Sequence, residues 1–201
     1  QPGKRGRNLW RCFSVDNTTE EVDDADTIVS IVTGGQQGAV SIVRLSGPEA
    51  VDIVGEVFVP GRGSKSGAWD PESHRIYYGN VIDQSGTLID EVLVLVMLGP
   101  RSYTAENVVE IHTHGGGICA SRVLQCCLQA GSRLAQPGEY TLRAFLNGRL
   151  DLSQAESVSS LVSARTVAAA DSALAGLSGG LGEEITEIRN ACLSLVSEID
   201  A

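Results

Sequence analysis

The stretch from Arg101 to Gly117, RSYTAENVVEIHTHGGG, constrains the fold more than any other part of the chain. It reads as a turn, a short strand and a glycine-rich lead into a helix. Side chains alternate across a strand, so over 107–114 Val109 and Ile111 take one face, and Glu110, His112 and His114 the other. A buried polar group without a partner costs about 1–3 kcal/mol. The polar face therefore needs solvent, hydrogen-bond partners or a ligand, and this strand is the first candidate site.

Composition narrows what such a site can serve. With 201 residues, 42% of them hydrophobic, the chain can bury the core of one ordinary domain and carry a smaller part beside it. A net charge of −10 argues against an extended nucleic-acid surface, because phosphate contacts need clustered Lys and Arg. Any RNA contact has to come from a local patch or another domain. The five cysteines are odd in number and lack paired CxxC spacing, and Cys126 and Cys127 are adjacent within a helical pattern. They read as reduced thiols in a reducing compartment. No apolar run reaches the ~18 residues of a membrane span, so no membrane partner is expected.

Taken in order, residues 1–25 stand apart. Lys4, Arg5, Arg7 and Arg11 occur without an acidic residue up to Val15, and Asp16 to Asp26 is then strongly acidic. The segment reads either as the remnant of an organellar transit peptide with an acidic spacer or as an ordinary ragged terminus. The first reading places the protein in a chloroplast or mitochondrion; the second leaves it cytoplasmic.

From Asp26 the pattern is regular. TIVSIVT at 27–33 and AVSIVRL at 39–45 are β-branched strands joined by the glycine-rich connection 34–38, of hairpin type. Arg44 ends the second strand, where burial favours a carboxylate partner or an anionic ligand; snorkelling to water is the alternative. Pro48 to Phe58 has helical spacing, with Ala50, Val51, Val54 and Phe58 apolar, and Pro60 to Pro71 reads as a surface loop. Strands follow at 74–82 and 90–97 around a turn at 83–86, and Ile118 to Ala130 predicts a helix ended by Gly131. Strands partly joined by hairpins, with a few helices, predict an α+β domain with a mixed sheet.

The character changes near Pro137. Pro137-Gly138-Glu139 starts a helix, and Ser153 to Glu156 reads as a capping box opening one long alanine-rich helix to about Leu177. Gly179, Gly180 and Gly182 are expected to break it. Glu183 to Ile199 then carries Ile185, Ile188, Cys192, Leu195 and Ile199 as a narrow apolar stripe that has to bury against another helix. The predicted organisation is a leader over 1–25, a mixed-sheet domain over 26–143 and the first helices of an all-helical domain over 144–201.

Three stretches together, DTIVSIVTGGQQGAVSIVRLSGPEA, RSYTAENVVEIHTHGGG and QPGEYTLRAFLNGRLDLSQAESVSSLVSART, resemble the amino-terminal part of the tRNA modification GTPase family MnmE, also called TrmE. The resemblance implies a fold similar to the aminomethyltransferase of glycine cleavage, a homodimer through this domain, and a 5-formyl-tetrahydrofolate-type cofactor as one-carbon donor. It further implies a GTPase domain, using GTP, magnesium and potassium, inserted in the helical domain. The flavoprotein MnmG would be the partner in modifying carbon 5 of the wobble uridine of tRNA. By motif position the folate contacts fall on Arg44, Glu110 and Arg149. A pterin presents N–H groups that suit Glu110, and a glutamate tail presents carboxylates that suit Arg44 or Arg149. Taken alone, Arg149 reads equally as a cation at a helix end.

The chain departs from that family in several places. The family has Pro-Pro-Gly-Arg-Gly where this chain has 34–38, and Thr113 stands where many members have cysteine. No Gly-x4-Gly-Lys-Ser/Thr element occurs in these residues, and neither does the family's terminal cysteine motif, so the fragment is expected to be inactive on GTP. Two other readings stand beside this one: a metal site on Glu110, His112 and His114, and a structural dimerisation module without a ligand.

Overall fold

The computed structural model describes residues 26–33, 38–61, 69–178 and 180–199. The leader, the glycine-rich connection over 34–37 and most of the loop after Pro60 lie outside the described residues. The chain runs β1 (Ile28–Ile31), β2 (Val40–Ser46), α1 (Ala50–Val57), β3 (Phe58–Pro60), β4 (Arg75–Ile82), β5 (Leu88–Met97), β6 (Val108–His114), α2 (Gly117–Gln129), β7 (Arg133–Leu134) and α3 (Glu139–Leu146). Helices α4 (Leu152–Ser163), α5 (Val167–Leu177) and α6 (Gly180–Ile199) follow. The strands form one sheet in the order β3-β4-β5-β6-β2-β1-β7. Neighbours are antiparallel except β1 and β7, which are parallel. The fold is α+β with a mixed sheet, as the strand and hairpin signals predict.

One face of the sheet holds the core. Val43 and Leu45 of β2, Val94 and Val96 of β5, and Val109 and Ile111 of β6 are fully buried with Ile53 and Val54 of α1 and Ala120, Val123 and Cys127 of α2. The strand period of two then forces Arg44, Glu110 and His112 onto the opposite, outer face. At the end of β6 the chain passes Ala39 so closely that the Gly115 N–H donates to the Ala39 carbonyl at 2.7 Å. A Cβ on Gly115 would sit 1.6 Å from the Gly38 carbonyl oxygen. The glycine run is therefore a steric requirement at Gly115.

The structure corrects four expectations. Phe58 does not end α1; it opens β3, pairs opposite Val81 and packs edge-on against Trp69 at 5.3 Å, so the aromatic is spent on the sheet edge. The capping box belongs to Asp151 and Gln154: the Gln154 N–H donates to Asp151 at 2.8 Å, and the Gln154 side chain accepts from the Asp151 N–H at 2.9 Å. The Ser153 hydroxyl instead donates to Asp151. The single alanine-rich helix is two helices, because Ala164 is extended and Thr166 caps α5 by accepting from the Ala169 N–H. This break lets α5 fold back on α4, with the Gly176 backbone pressed against Ser157 and Gln154 donating to the Leu177 carbonyl. A straight helix would leave both apolar faces in water. Finally, the helix ends at Leu177 as expected and the break precedes Gly180, but Gly180 and Gly182 already lie in the first turn of α6, a position that tolerates glycine. The α6 stripe is not covered by the described residues: Ile185, Ile188 and Leu195 are 53%, 64% and 60% exposed.

A buried ionic cluster holds α3 against the sheet. Arg143, 2% exposed, donates to the Asp26 backbone carbonyl at 2.9 Å, pairs with the Asp26 carboxylate, and lies 3.3 Å from Glu106 and 3.4 Å from Glu139. Arg133 of β7 bridges Asp26 and Glu139, at 2.6 Å to each. Glu106 in turn accepts from Ser46 of β2 at 2.6 Å. Burial alone would disfavour ionised Asp26 and Glu139, but the hydrogen bonds and charges of the arginines, joined at Glu139 by the Gln136 N–H, together outweigh it and hold both carboxyls below the usual range.

Two predictions follow from this packing. Gly115→Ala should destabilise the fold by about 3 kcal/mol or more, since neither backbone can yield, whereas Gly117→Ala, with open space around it, should stay within about 1 kcal/mol of the parent. Urea titrations of the two variants measure both. Because the folded pKa values of Asp26 and Glu139 lie below their unfolded ones, the stability they contribute is complete above pH ~4 and is lost as pH falls through the folded values. Arg143→Met should cost about 3–5 kcal/mol by leaving Glu106 without its arginine and Asp26 and Glu139 with Arg133 alone, and should move the onset of acid unfolding to higher pH. Unfolding midpoints between pH 7 and 3 show both effects.

Candidate functional site on the outer sheet face

Register brings the site together. Ile76, Leu95, Glu110, Arg44 and Ser30 stand in one row across β4, β5, β6, β2 and β1, and Tyr78, Leu93, His112 and Ile42 form the next. Arg44 and Glu110 are direct cross-strand partners. The Arg44 Nε–H donates to Glu110 Oε1 at 2.8 Å, and Nη2 lies 2.6 Å from the same oxygen. Glu110 is 9% exposed as a residue, and the guanidinium supplies the charge that its burial demands. Among the described residues no hydrogen bond reaches Glu110 Oε2.

Aromatic rings complete the wall. The Arg44 guanidinium lies 5.7 Å from the centre of the Tyr103 ring and 5.6 Å from that of Tyr140, and the Arg149 guanidinium lies 5.2 Å from Tyr103. Cation–π contacts of this kind orient a guanidinium without neutralising it. Tyr140 projects from α3; its hydroxyl donates to the Arg44 carbonyl at 2.6 Å and accepts from Ser30 at 3.2 Å. Burial pushes its phenol up to about 12, so it remains a neutral donor. Tyr103 comes from the loop before β6, with its hydroxyl 2.9 Å from Thr141 Oγ1 of α3. Asn147 ties the same loop to the end of α3 by donating to the Thr104 carbonyl at 2.8 Å.

Arg149 lies just past α3, after a left-handed Gly148 (φ 70°), with its own N–H donating to the Ala144 carbonyl at 2.9 Å. Its side chain turns to Tyr103. Among the described residues it makes no ion pair. Arg44, Glu110 and Arg149, distant in sequence, thus share one wall centred on Tyr103.

His112 and His114 separate from one another. The His112 ring nitrogen Nε2 is 3.5 Å from Glu110 Oε2, whereas His114 Nδ1 pairs with Asp90 Oδ1 at 2.7 Å, and the His114 N–H donates to Asp90 Oδ2 at 2.8 Å. The Asp90 hydrogen bond raises the pKa of His114. Among the described residues no three His, Cys, Asp or Glu side chains are grouped to hold a metal ion. Cys119, Cys126, Cys127 and Cys192 are free thiols, and burial pushes the Cys127 thiol up to about 12. No helix among the described residues is long and apolar enough to cross a membrane.

Sequence reading did not single out Tyr103, Tyr140, Arg143, Asp26 or Glu106. The i, i+4 pair Glu139 and Arg143 on a helix carrying Tyr140 was a signal; the loop positions carried none, because period analysis says nothing about where a loop side chain lands.

Comparison with known proteins agrees with this architecture. A family model described as the GTP-binding protein TrmE N-terminus matches residues 27–149. The tRNA modification GTPase MnmE of Synechococcus elongatus is 57% identical over 180 residues, which is 88% of this chain and 37% of the relative. The proteins of the same name from Acaryochloris marina and a Cyanothece species are 55% and 52% identical, over 38% and 39% of their lengths. The chain therefore spans less than two fifths of the curated relatives it matches. The matched region holds the whole sheet, α3 and all three arginine and glutamate positions of the outer face, and the chain belongs to the GTP-binding protein TrmE N-terminus family.

Proposed function

We propose that this chain is the folate-binding and dimerising amino-terminal part of a tRNA modification GTPase. The observation that carries the reading is the wall formed by Arg44, Glu110 and Arg149 around Tyr103. A folate of the 5-formyl-tetrahydrofolate type matches this donor set. Among the described residues Glu110 has an oxygen without a donor, free for pterin N–H groups, and Arg149 has no carboxylate of its own and suits an anionic tail. When bound, the folate would supply a one-carbon unit; the residues here bind and orient it. The fold would then be of the glycine-cleavage aminomethyltransferase type.

Further features support the assembly. Ile76, Tyr78 and Leu93 leave an apolar outer sheet face 65%, 58% and 44% exposed, which supports pairing with a second copy in a homodimer. The GTPase centre, with its magnesium and potassium, the flavoprotein partner MnmG and tRNA would engage the full-length protein. The basic residues over 1–25 support a chloroplast or mitochondrial location.

Calorimetric titration with 5-formyl-tetrahydrofolate tests the reading. The parent should show saturable binding, and Arg44→Ala and Glu110→Ala, each folded by circular dichroism, should each weaken it tenfold or more, about 1.4 kcal/mol. A folded parent that binds no folate would leave the dimerisation module as the correct account. These 201 residues alone should release phosphate from GTP no faster than the buffer, since they contain no Gly-x4-Gly-Lys-Ser/Thr element.

A further inference from the structure

Two idle atoms face each other on the outer sheet. The His112 ring nitrogen Nε2 is shielded from solvent and has no hydrogen-bond partner among the described residues. It lies 3.5 Å from Glu110 Oε2, the carboxylate oxygen that receives no donor among the described residues, while Arg44 places both of its contacts on Oε1. A buried nitrogen without a partner is costly, whereas Glu110 Oε2 is not among the buried unpartnered atoms and keeps access to solvent; the two are complementary if the nitrogen carries its proton. The two residues are i and i+2 on β6, so strand rise fixes their backbones about 6.7 Å apart and leaves the remaining approach to side-chain rotation.

We infer that His112 is a positioning residue for Glu110. Its Nε2–H steers Oε2 while Arg44 holds Oε1, and together they fix the carboxylate plane that meets the pterin N–H groups. This rests on the folate reading above. It requires an N–H donor at the tip of the residue 112 side chain and does not require a charge there. His112 also sits between Leu93 and Ile42 in its row, where apolar neighbours limit competing hydrogen bonds to the ring. The arrangement makes the His112 contribution specific to ligands that use Glu110. A ligand made only of the p-aminobenzoyl-glutamate half, lacking the pterin, should be indifferent to it.

The test compares His112→Phe, which keeps a ring without nitrogen, with His112→Gln, whose amide N–H reaches a similar place, titrating each with 5-formyl-tetrahydrofolate and with p-aminobenzoyl-glutamate. Phe should weaken 5-formyl-tetrahydrofolate binding about tenfold and leave the half-ligand unchanged, and Gln should stay within about threefold of the parent. In a Glu110→Gln background the Phe change should add no further loss. If Phe disturbs folding, His112→Leu serves in its place. Parent-like folate binding by the folded apolar variant, or an equal loss in the Glu110→Gln background, overturns the inference while leaving the folate reading standing. Failure of the parent itself to bind 5-formyl-tetrahydrofolate overturns that reading and this inference with it.

Discussion

The pairing of Arg44 with Glu110 sits where the sheet is most constrained, between the middle strand β6 and its neighbour β2 and directly behind the valine and isoleucine core. Val43, Leu45, Val109 and Ile111 are fully buried, so neither strand can shift register to move Arg44 or Glu110 without exposing that core. The site inherits its rigidity from this lock. A one-residue slip of β6 would bring Glu110 into the apolar layer and break the ion pair together, so the hydrophobic and polar faces specify the same register.

The second dependence is on Arg143. Helix α3 contributes Tyr140 and, through the turn after it, Arg149, yet it is only eight residues long and too short to hold its place by helix stability alone. The cluster of Arg143 with Asp26, Glu106 and Glu139 fixes it from below, joining the start of β1, the loop before β6 and the helix in one buried network. Glu106 also receives Ser46 of β2, so the network reaches the strand that carries Arg44. Removing one charge from such a network costs more than its pairwise contacts suggest, because the remaining charges stay buried.

The two faces of β6 were legible in the sequence because alternation is a strict consequence of strand geometry, and VVEIHTH leaves no other assignment of Val109, Ile111 and Glu110. The hairpins, α2 and its Gly131 stop were legible for similar reasons. Arg44 read as a residue in need of an anion, and its partner is on the neighbouring strand. What was not legible depended on tertiary geometry. The run from Leu152 onward keeps a helical pattern through Ser163, and Thr166 is one of several hydroxyl residues in it, so its capping role does not stand out; the fold-back that presses Gly176 on Ser157 shows which of them restarts the helix. Asp151 was overlooked as the cap because Ser153 two residues on makes an equally acceptable motif, and only hydrogen-bond geometry separates them.

Charge gives the site its chemical sense within an acidic chain. At −10 overall the protein surface repels anions at long range, so recognition of an anionic ligand has to rest on contacts made at short range, within the screening length of the solution. Arg44 is paired with Glu110, but Arg149 has a ring beneath it and, among the described residues, no carboxylate beside it. A guanidinium held by a tyrosine face keeps its charge uncompensated and its N–H donors free, whereas Arg44 has its charge balanced by Glu110 and two of its N–H groups aimed at one carboxylate oxygen. The difference separates the two arginines: Arg44 is paired with Glu110 across the strands, and Arg149 makes no ion pair among the described residues.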